Sequence, residues 1–180
     1  MENLFNKWRT KIPKYSEIHK DLFNSLSQKF GAEGEKKLNL GKHFSTNYEL
    51  YIYAFFLGLY NEEFIPISEK EKRIDFSHHI QFWGSKSTPI RKDFTILQEY
   101  IFMALVAKSA IDLIALDKGD LSEDDAIKIL ISTMESYTNG GLILIREKID
   151  QNSNYFLQNT SFLNLILDSK MSKITSNRVV

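Results

Sequence analysis

Tyr48-Glu49-Leu50-Tyr51-Ile52-Tyr53-Ala54-Phe55-Phe56-Leu57-Gly58-Leu59-Tyr60 decides the architecture of this chain. Tyr48, Tyr51, Ile52, Phe55, Phe56 and Leu59 follow helical spacing, and Leu50, Tyr53, Ala54 and Leu57 make the opposite side apolar as well. A helix that is hydrophobic nearly all round is either central to a helical core or lies at a subunit interface. Ser45 or Thr46 stands where an N-cap is needed, and Gly58 near the other end permits close packing or a bend.

The preceding residues 1–44 carry a basic excess, including Lys7, Arg9, Lys11, Lys14, Lys20, Lys29, Lys36, Lys37 and Lys42. After Pro13, Ser16 can cap a helix whose apolar positions are Ile18, Leu22, Leu26 and Phe30, ended by Gly31 and Gly34. On the other side, residues 61–93 hold Pro66, Pro89 and the charge run Glu69 to Arg73. Short alternations such as Ile80-Gln81-Phe82-Trp83 point to a long irregular connection with one or two very short strands.

The helical pattern returns from Phe94 to Leu116 and stops at Gly119. Ser122-Glu123-Asp124-Asp125 then reads as a capping box with acids in the first turn, where the helix dipole favours them. Ile127, Leu130, Ile131, Met134 and Tyr137 form one face of the helix that follows. Asn139-Gly140-Gly141 is expected to break the chain into a sharp corner, with Leu142, Ile145 and Ile149 starting another helix and a last one over Tyr155 to Leu167. The expected fold is all-α: a single-domain bundle of about six helices over 1–180, with 1–44 as a basic helical segment, 45–168 as core and 169–180 as a polar tail.

Composition bounds the function. Lys+Arg and Asp+Glu are both 23, so the formal net charge is zero and any attraction to nucleic acid must come from a local patch. There is no cysteine, which removes disulfides, thiolate nucleophiles and cysteine metal sites. The N-terminal residues are not expected to act as a signal peptide, and the longest apolar run, Tyr100 to Ala107, falls far short of the ~18–20 residues that span a bilayer. A cytoplasmic protein without membrane contact is expected.

Candidate sites are few. Lys36, Lys37 and Lys42 are the residues best placed by composition to meet a DNA backbone. Asn139, Gly140 and Gly141 form either a structural corner or, through free amides at the start of the next helix with Arg146 and Lys148 nearby, an anion seat. Tyr48, Tyr53 and Phe56 are candidates for self-association into a homodimer; the competing cover for that stripe is the 61–93 excursion with Phe82 and Trp83. His78 and His79, with Asp75, Glu62, Glu63 or His43, are the only weak metal candidates, and no metal-binding or nucleotide-binding spacing accompanies them. No cofactor is expected.

Two segments together carry a resemblance. Tyr53-Ala54-Phe55-Phe56-Leu57-Gly58-Leu59-Tyr60 with Phe64-Ile65-Pro66-Ile67 is one. Asp112-Leu113-Ile114-Ala115-Leu116 through Asp120-Leu121, with Tyr137-Thr138-Asn139-Gly140-Gly141-Leu142, is the other. Together they resemble the small accessory proteins of bacterial DNA phosphorothioation (Dnd) systems, the type called Dnd system-associated protein 4. The resemblance spans roughly Lys42 to Lys148 and implies a non-enzymatic accessory protein of a DNA modification or phage-defence system, acting through protein partners and DNA backbone. It transfers no catalytic residue. The alternatives are a metal-dependent nuclease-like subunit built on His78 and His79, and a helical adaptor unrelated to DNA.

Overall fold

Thr46 and Glu49 set the start of the apolar helix. The Thr46 side chain accepts from the Glu49 amide and the Glu49 carboxylate accepts from the Thr46 amide, a reciprocal cap that satisfies two of the orphan N–H groups. In the computed structural model, which describes residues 2–27, 44, 46–84, 94–158 and 160–167, that helix is one of several in a mostly helical chain. The elements in order are α1 (Glu2–Arg9), β1 (Lys14–Ser16), α2 (Lys20–Leu26), α3 (Asn47–Asn61), β2 (Arg73–Asp75), α4 (Thr95–Lys108), α5 (Leu113–Lys118), α6 (Glu123–Gln151) and a short helix α7 over 161–167. Single 3-10 turns lie at Glu17–His19, Ile80–Phe82 and Tyr155–Leu157. The chain divides into two units, residues 1–17 with 66–136 and residues 18–65 with 137–180.

The first unit is organised around a two-stranded antiparallel ribbon and an aromatic core. β1 and β2 pair Lys14 with Asp75, Tyr15 with Ile74 and Ser16 with Arg73. The ribbon is extended by backbone bonds from Glu17 N to Lys72 O (2.9 Å), Phe76 N to Pro13 O (2.8 Å) and Ile80 N to Lys11 O (3.1 Å). Phe76 packs edge-on against Trp83 and Tyr15, and Trp8 of α1 packs against Phe102 of α4. Three side-chain bonds hold the irregular stretch in place. Trp83 Nε1 donates to the His78 carbonyl (3.1 Å), Gln98 Nε2 donates to the Trp83 carbonyl (2.9 Å), and Arg9 Nε donates to Gln98 Oε1 (2.9 Å).

The second unit is a close-packed helical assembly. Leu22, Phe23 and Leu26 of α2 are buried, as are Leu50, Tyr51, Ile52, Ala54, Phe55, Leu57 and Gly58 of α3. Glu62 ends α3 in the left-handed region (φ 61°), its amide reaching back to the Gly58 and Leu59 carbonyls. Phe44, Tyr53, Phe156 and Phe162 form an aromatic cluster, with Phe162 stacked on Phe156 at 4.4 Å between centroids.

Several sequence expectations need correction. Ser16 does not cap a helix: it lies extended opposite Arg73, and α2 starts only at Lys20, with Ile18 left 53% exposed and Phe23 buried. Helix α1 is short and amphipathic, and the basic excess of 1–44 does not by itself mark it as a separate element. The run from Phe94 to Leu116 is two helices, because Asp112 turns its carboxylate onto the amides of Ile114 and Ala115 (both 2.9 Å) and caps a new start. The last segment is likewise split, into the 3-10 turn at Tyr155–Leu157 and α7.

The corner at Asn139-Gly140-Gly141 is the largest correction. α6 runs unbroken for 29 residues straight through it. Within α6 those amides belong to the helical ladder, so no free N–H groups remain there to seat an anion. Gly119, by contrast, does end α5 as read, at φ 81°, and Ser122 does start α6, its hydroxyl accepting from the Asp125 amide at 3.1 Å.

Candidate functional site: a cation-rimmed cleft

The start of α6 sets which residues share a face. From Asp124, a spacing of three and four residues puts Ile127, Lys128, Ile131, Ser132 and Glu135 along one stripe. That stripe forms one wall of a cleft of about 560 Å³, and Lys11, Ile12, Lys14 and Arg73, from β1, the residues before it and β2, form the other. All of it lies within the first unit.

Glu135 is the buried charge of the cleft, 7% exposed. Its Oε1 accepts from the Lys14 amide (2.7 Å), and Arg73 Nη1 stands 3.8 Å from its Oε2. Burial pushes the Glu135 carboxyl above its ordinary value, and the Lys14 amide and the Arg73 and Lys14 charges only partly offset this. Around it, Lys14 pairs with Asp75 (3.5 Å) and Lys128 with Asp125 (2.8 Å), while Lys11 makes no ion pair among the described residues. With Asp75 and Asp125 beside Asp124 and Glu135, four acids balance the four cations of the cleft, and of its three isoleucines Ile127 is buried while Ile12 and Ile131 are half-buried.

The residues singled out from sequence are distributed elsewhere. Lys36, Lys37 and Lys42 lie outside the described residues. Tyr48 and Phe56 are half-buried on α3. Tyr53 is half-buried too, and its hydroxyl donates to the Phe162 carbonyl (2.7 Å); burial raises its phenol well above the ordinary range, so it stays neutral. Its neighbours are therefore Phe44 and Phe162. Trp83 is buried against Phe76, and Phe82 is 53% exposed. His78 and His79 are both exposed; His79 Nδ1 meets the Thr10 carbonyl. Among the described residues no three His, Cys, Asp or Glu side chains gather into a metal-binding group.

Asn139, Gly140 and Gly141 meet in the second unit with partners that sequence reading missed. A Cβ on Gly140 would run into the Glu63 carbonyl, one on Gly141 into the Ala54 carbonyl, and one on Gly58 into the Tyr137 carbonyl. Three glycines thus let the backbones of α3, its C-terminal turn and α6 touch. Asn139 is buried: its Nδ2 donates to the Ile65 carbonyl (3.1 Å), which turns its Oδ1 toward His19 Nε2 at 3.0 Å, so Nε2 carries the hydrogen. Arg146 and Lys148, the cations proposed for an anion seat, are engaged otherwise. Arg146 binds Asp21 through both carboxylate oxygens (2.6 and 3.1 Å) and the Ile18 carbonyl (2.6 Å), and Lys148 lies over the Tyr155 ring.

A signal for this packing was present in the sequence. Leu130, Met134, Tyr137, Gly141, Leu142 and Ile145 keep the helical period without a slip across Asn139-Gly140-Gly141, which a true corner would interrupt. Glu135 carried no comparable signal, because one acid in a helix rich in acids is indistinguishable from a solvated one.

No family model matches the chain, and no curated protein or solved structure matches it either. Among the described residues no helix is long and apolar enough to cross a membrane.

Proposed function

We propose that this chain is a non-enzymatic accessory protein of a bacterial DNA modification or phage-defence system, working in the cytoplasm through protein partners. The observation that carries the binding half of this reading is the state of Glu135. A buried carboxyl with a raised pKa in a cleft is the usual candidate for acid–base work. Here one oxygen is held by the Lys14 amide and the other faces Arg73, so the group serves to place cations along a recognition surface. The system half rests on the resemblance. Its two strings supply Gly58 on one side and Gly140 with Gly141 on the other, glycines of the same close helix contact.

The test is affinity capture of the tagged full chain from its host, followed by mass spectrometry. Proteins encoded with a DNA-modifying or DNA-cleaving enzyme are expected to copurify, and deletion of the gene should change phage plating on that host. Copurification of unrelated proteins only, with unchanged plating, overturns the reading.

A further inference from the structure

Two helices of this chain are apolar on nearly every side, and their surroundings differ. In α3, Tyr51 and Phe55 are fully buried and Tyr53 is closed in by Phe44 and Phe162 of its own unit. α4 carries only two charges, Glu99 and Lys108, and buries Gln98, Ile101, Phe102 and Leu105. Its opposite side is open among the described residues: Ile96 is 63% exposed, Tyr100 and Met103 are each 55% exposed, and Ala107 is exposed as well. A helix that is hydrophobic all round is central or lies at a subunit interface, and α4 is not central.

The open side is a seam. Positions 96, 100, 103 and 107 step by four, three and four, the spacing by which one helix meets another along its length. No charge interrupts it, because Glu99 lies on one flank and Lys108 on the other. Bulk falls along the seam, from Ile96 and Tyr100 in the N-terminal half to Met103 and Ala107 in the C-terminal half. A second copy running antiparallel, about a two-fold axis between residues 101 and 102, therefore sets large against small. Ile96 then covers the partner copy's Ala107, and Tyr100 meets the thioether of the partner copy's Met103.

The area fits a pair of copies. A helix of the length of α4 runs for about 21 Å, and one open side of it offers roughly 500 Å². Two copies would bury about 1,000 Å² together, the least that a specific interface needs. A shorter element would bury less, whereas every copy of the chain brings a helix of matching length. We propose that this chain forms a weak two-fold dimer through an antiparallel pair of α4 helices. The pairing stands independently of the function proposed above.

Sedimentation equilibrium of the full chain from about 1 to 300 µM tests it, alongside thermal melts at both ends of that range. The wild type should pass from monomer to dimer, and its melting temperature should rise with concentration. Tyr100→Lys with Met103→Lys should stay monomeric throughout and melt like the dilute wild type, because both side chains are exposed in the single copy. The chain has no cysteine, so introduced thiols report orientation. Ile96→Cys mixed with Ala107→Cys should give a disulfide-linked dimer on oxidation. Each alone should not, since across the two-fold its own counterpart stands about 16 Å away along the helix axis, beyond disulfide reach. A wild type that stays monomeric overturns the proposal, as does a dimer that survives both lysines. Self-linking of Ile96→Cys alone would make the pair parallel and overturn the antiparallel seam. A lysine variant that melts below the dilute wild type would give the seam to another segment of this chain, and would overturn the proposal too.

Discussion

The two units of this chain solve the same problem, holding irregular sequence against helices, and differ in one device. In the first unit, side chains reach out to backbone groups: Gln98 and Trp83 donate to the carbonyls of Trp83 and His78, and the Glu135 carboxylate accepts from the Lys14 amide. The second has such bonds too, from Asn139 to Ile65 and Tyr53 to Phe162, but adds a contact without side chains, where Gly58, Gly140 and Gly141 bring backbone against backbone. The difference bears on function. A stretch held by polar side chains leaves room for a cleft and charges to line it, whereas a contact made through glycines leaves none. The cleft accordingly lies in the first unit, and the motif string that looked most chemical lies in the packing of the second.

The sharpest way to break this contrast is to add a side chain where none fits. Gly141→Val should cost more than about 3 kcal/mol or abolish cooperative unfolding, and Gly141→Ala about 1–3 kcal/mol despite alanine's better helix propensity. Urea denaturation followed by far-ultraviolet circular dichroism reads both. An alanine variant with an unshifted midpoint would mean that α3 and α6 do not approach as described.

Asn139→Leu comes next. It strands the Ile65 carbonyl and the His19 Nε2–H, at a cost of about 1–3 kcal/mol. Were Asn139 only a turn former, the substitution would stabilise the helix, so the sign of the change decides. In the first unit, Gln98→Leu leaves the Trp83 carbonyl without its donor, and we expect about 1–2 kcal/mol. Both tryptophans of the chain, Trp8 and Trp83, belong to this unit, so their emission should shift in this variant. Unchanged emission and midpoint would remove Gln98 from the account.

The smallest effects are in pH dependence, and they have opposite signs. Burial pushes Asp21 up, but its bonds and charge interaction with Arg146 outweigh that and hold it below the usual range. Its contribution is present above the ordinary aspartate pKa and is lost as pH falls through the lowered folded value. Glu135 is raised by burial, so its ionisation works against the fold. Stability from this group is fullest below the ordinary glutamate pKa and declines as pH rises through the raised folded value. Asp21→Asn should therefore flatten the acid side of a stability–pH curve, and Glu135→Gln should flatten the decline above the ordinary glutamate range. Identical curves for both variants would erase the distinction between a paired surface acid and a buried one.

What could be read from the residues was what depends on neighbours along the chain. Thr46 with Glu49, Ser122 with Asp125, and Gly119 act over three or four residues, and each marks a helix end where its chemistry said it would. The apolar period of Tyr48 to Tyr60 likewise made that helix legible, because burial on several sides is written in the pattern itself. Ser16 failed for the same reason in reverse: a serine has two local uses, and only its partner, Arg73 across the ribbon, settles which applies.

The amino-acid order by itself determined a mostly helical chain, its main helix starts, and the irregular nature of the stretch after α3. Only the tertiary structure decided that Asn139-Gly140-Gly141 lies inside a helix, and that Glu135 with Lys11, Lys14, Arg73 and Lys128 faces one cleft. The physical reason is range. A helix cap or an apolar period is completed within a few residues, whereas a glycine's tolerance and a carboxylate's burial depend on atoms brought up from more than seventy positions away, where local propensity carries no information.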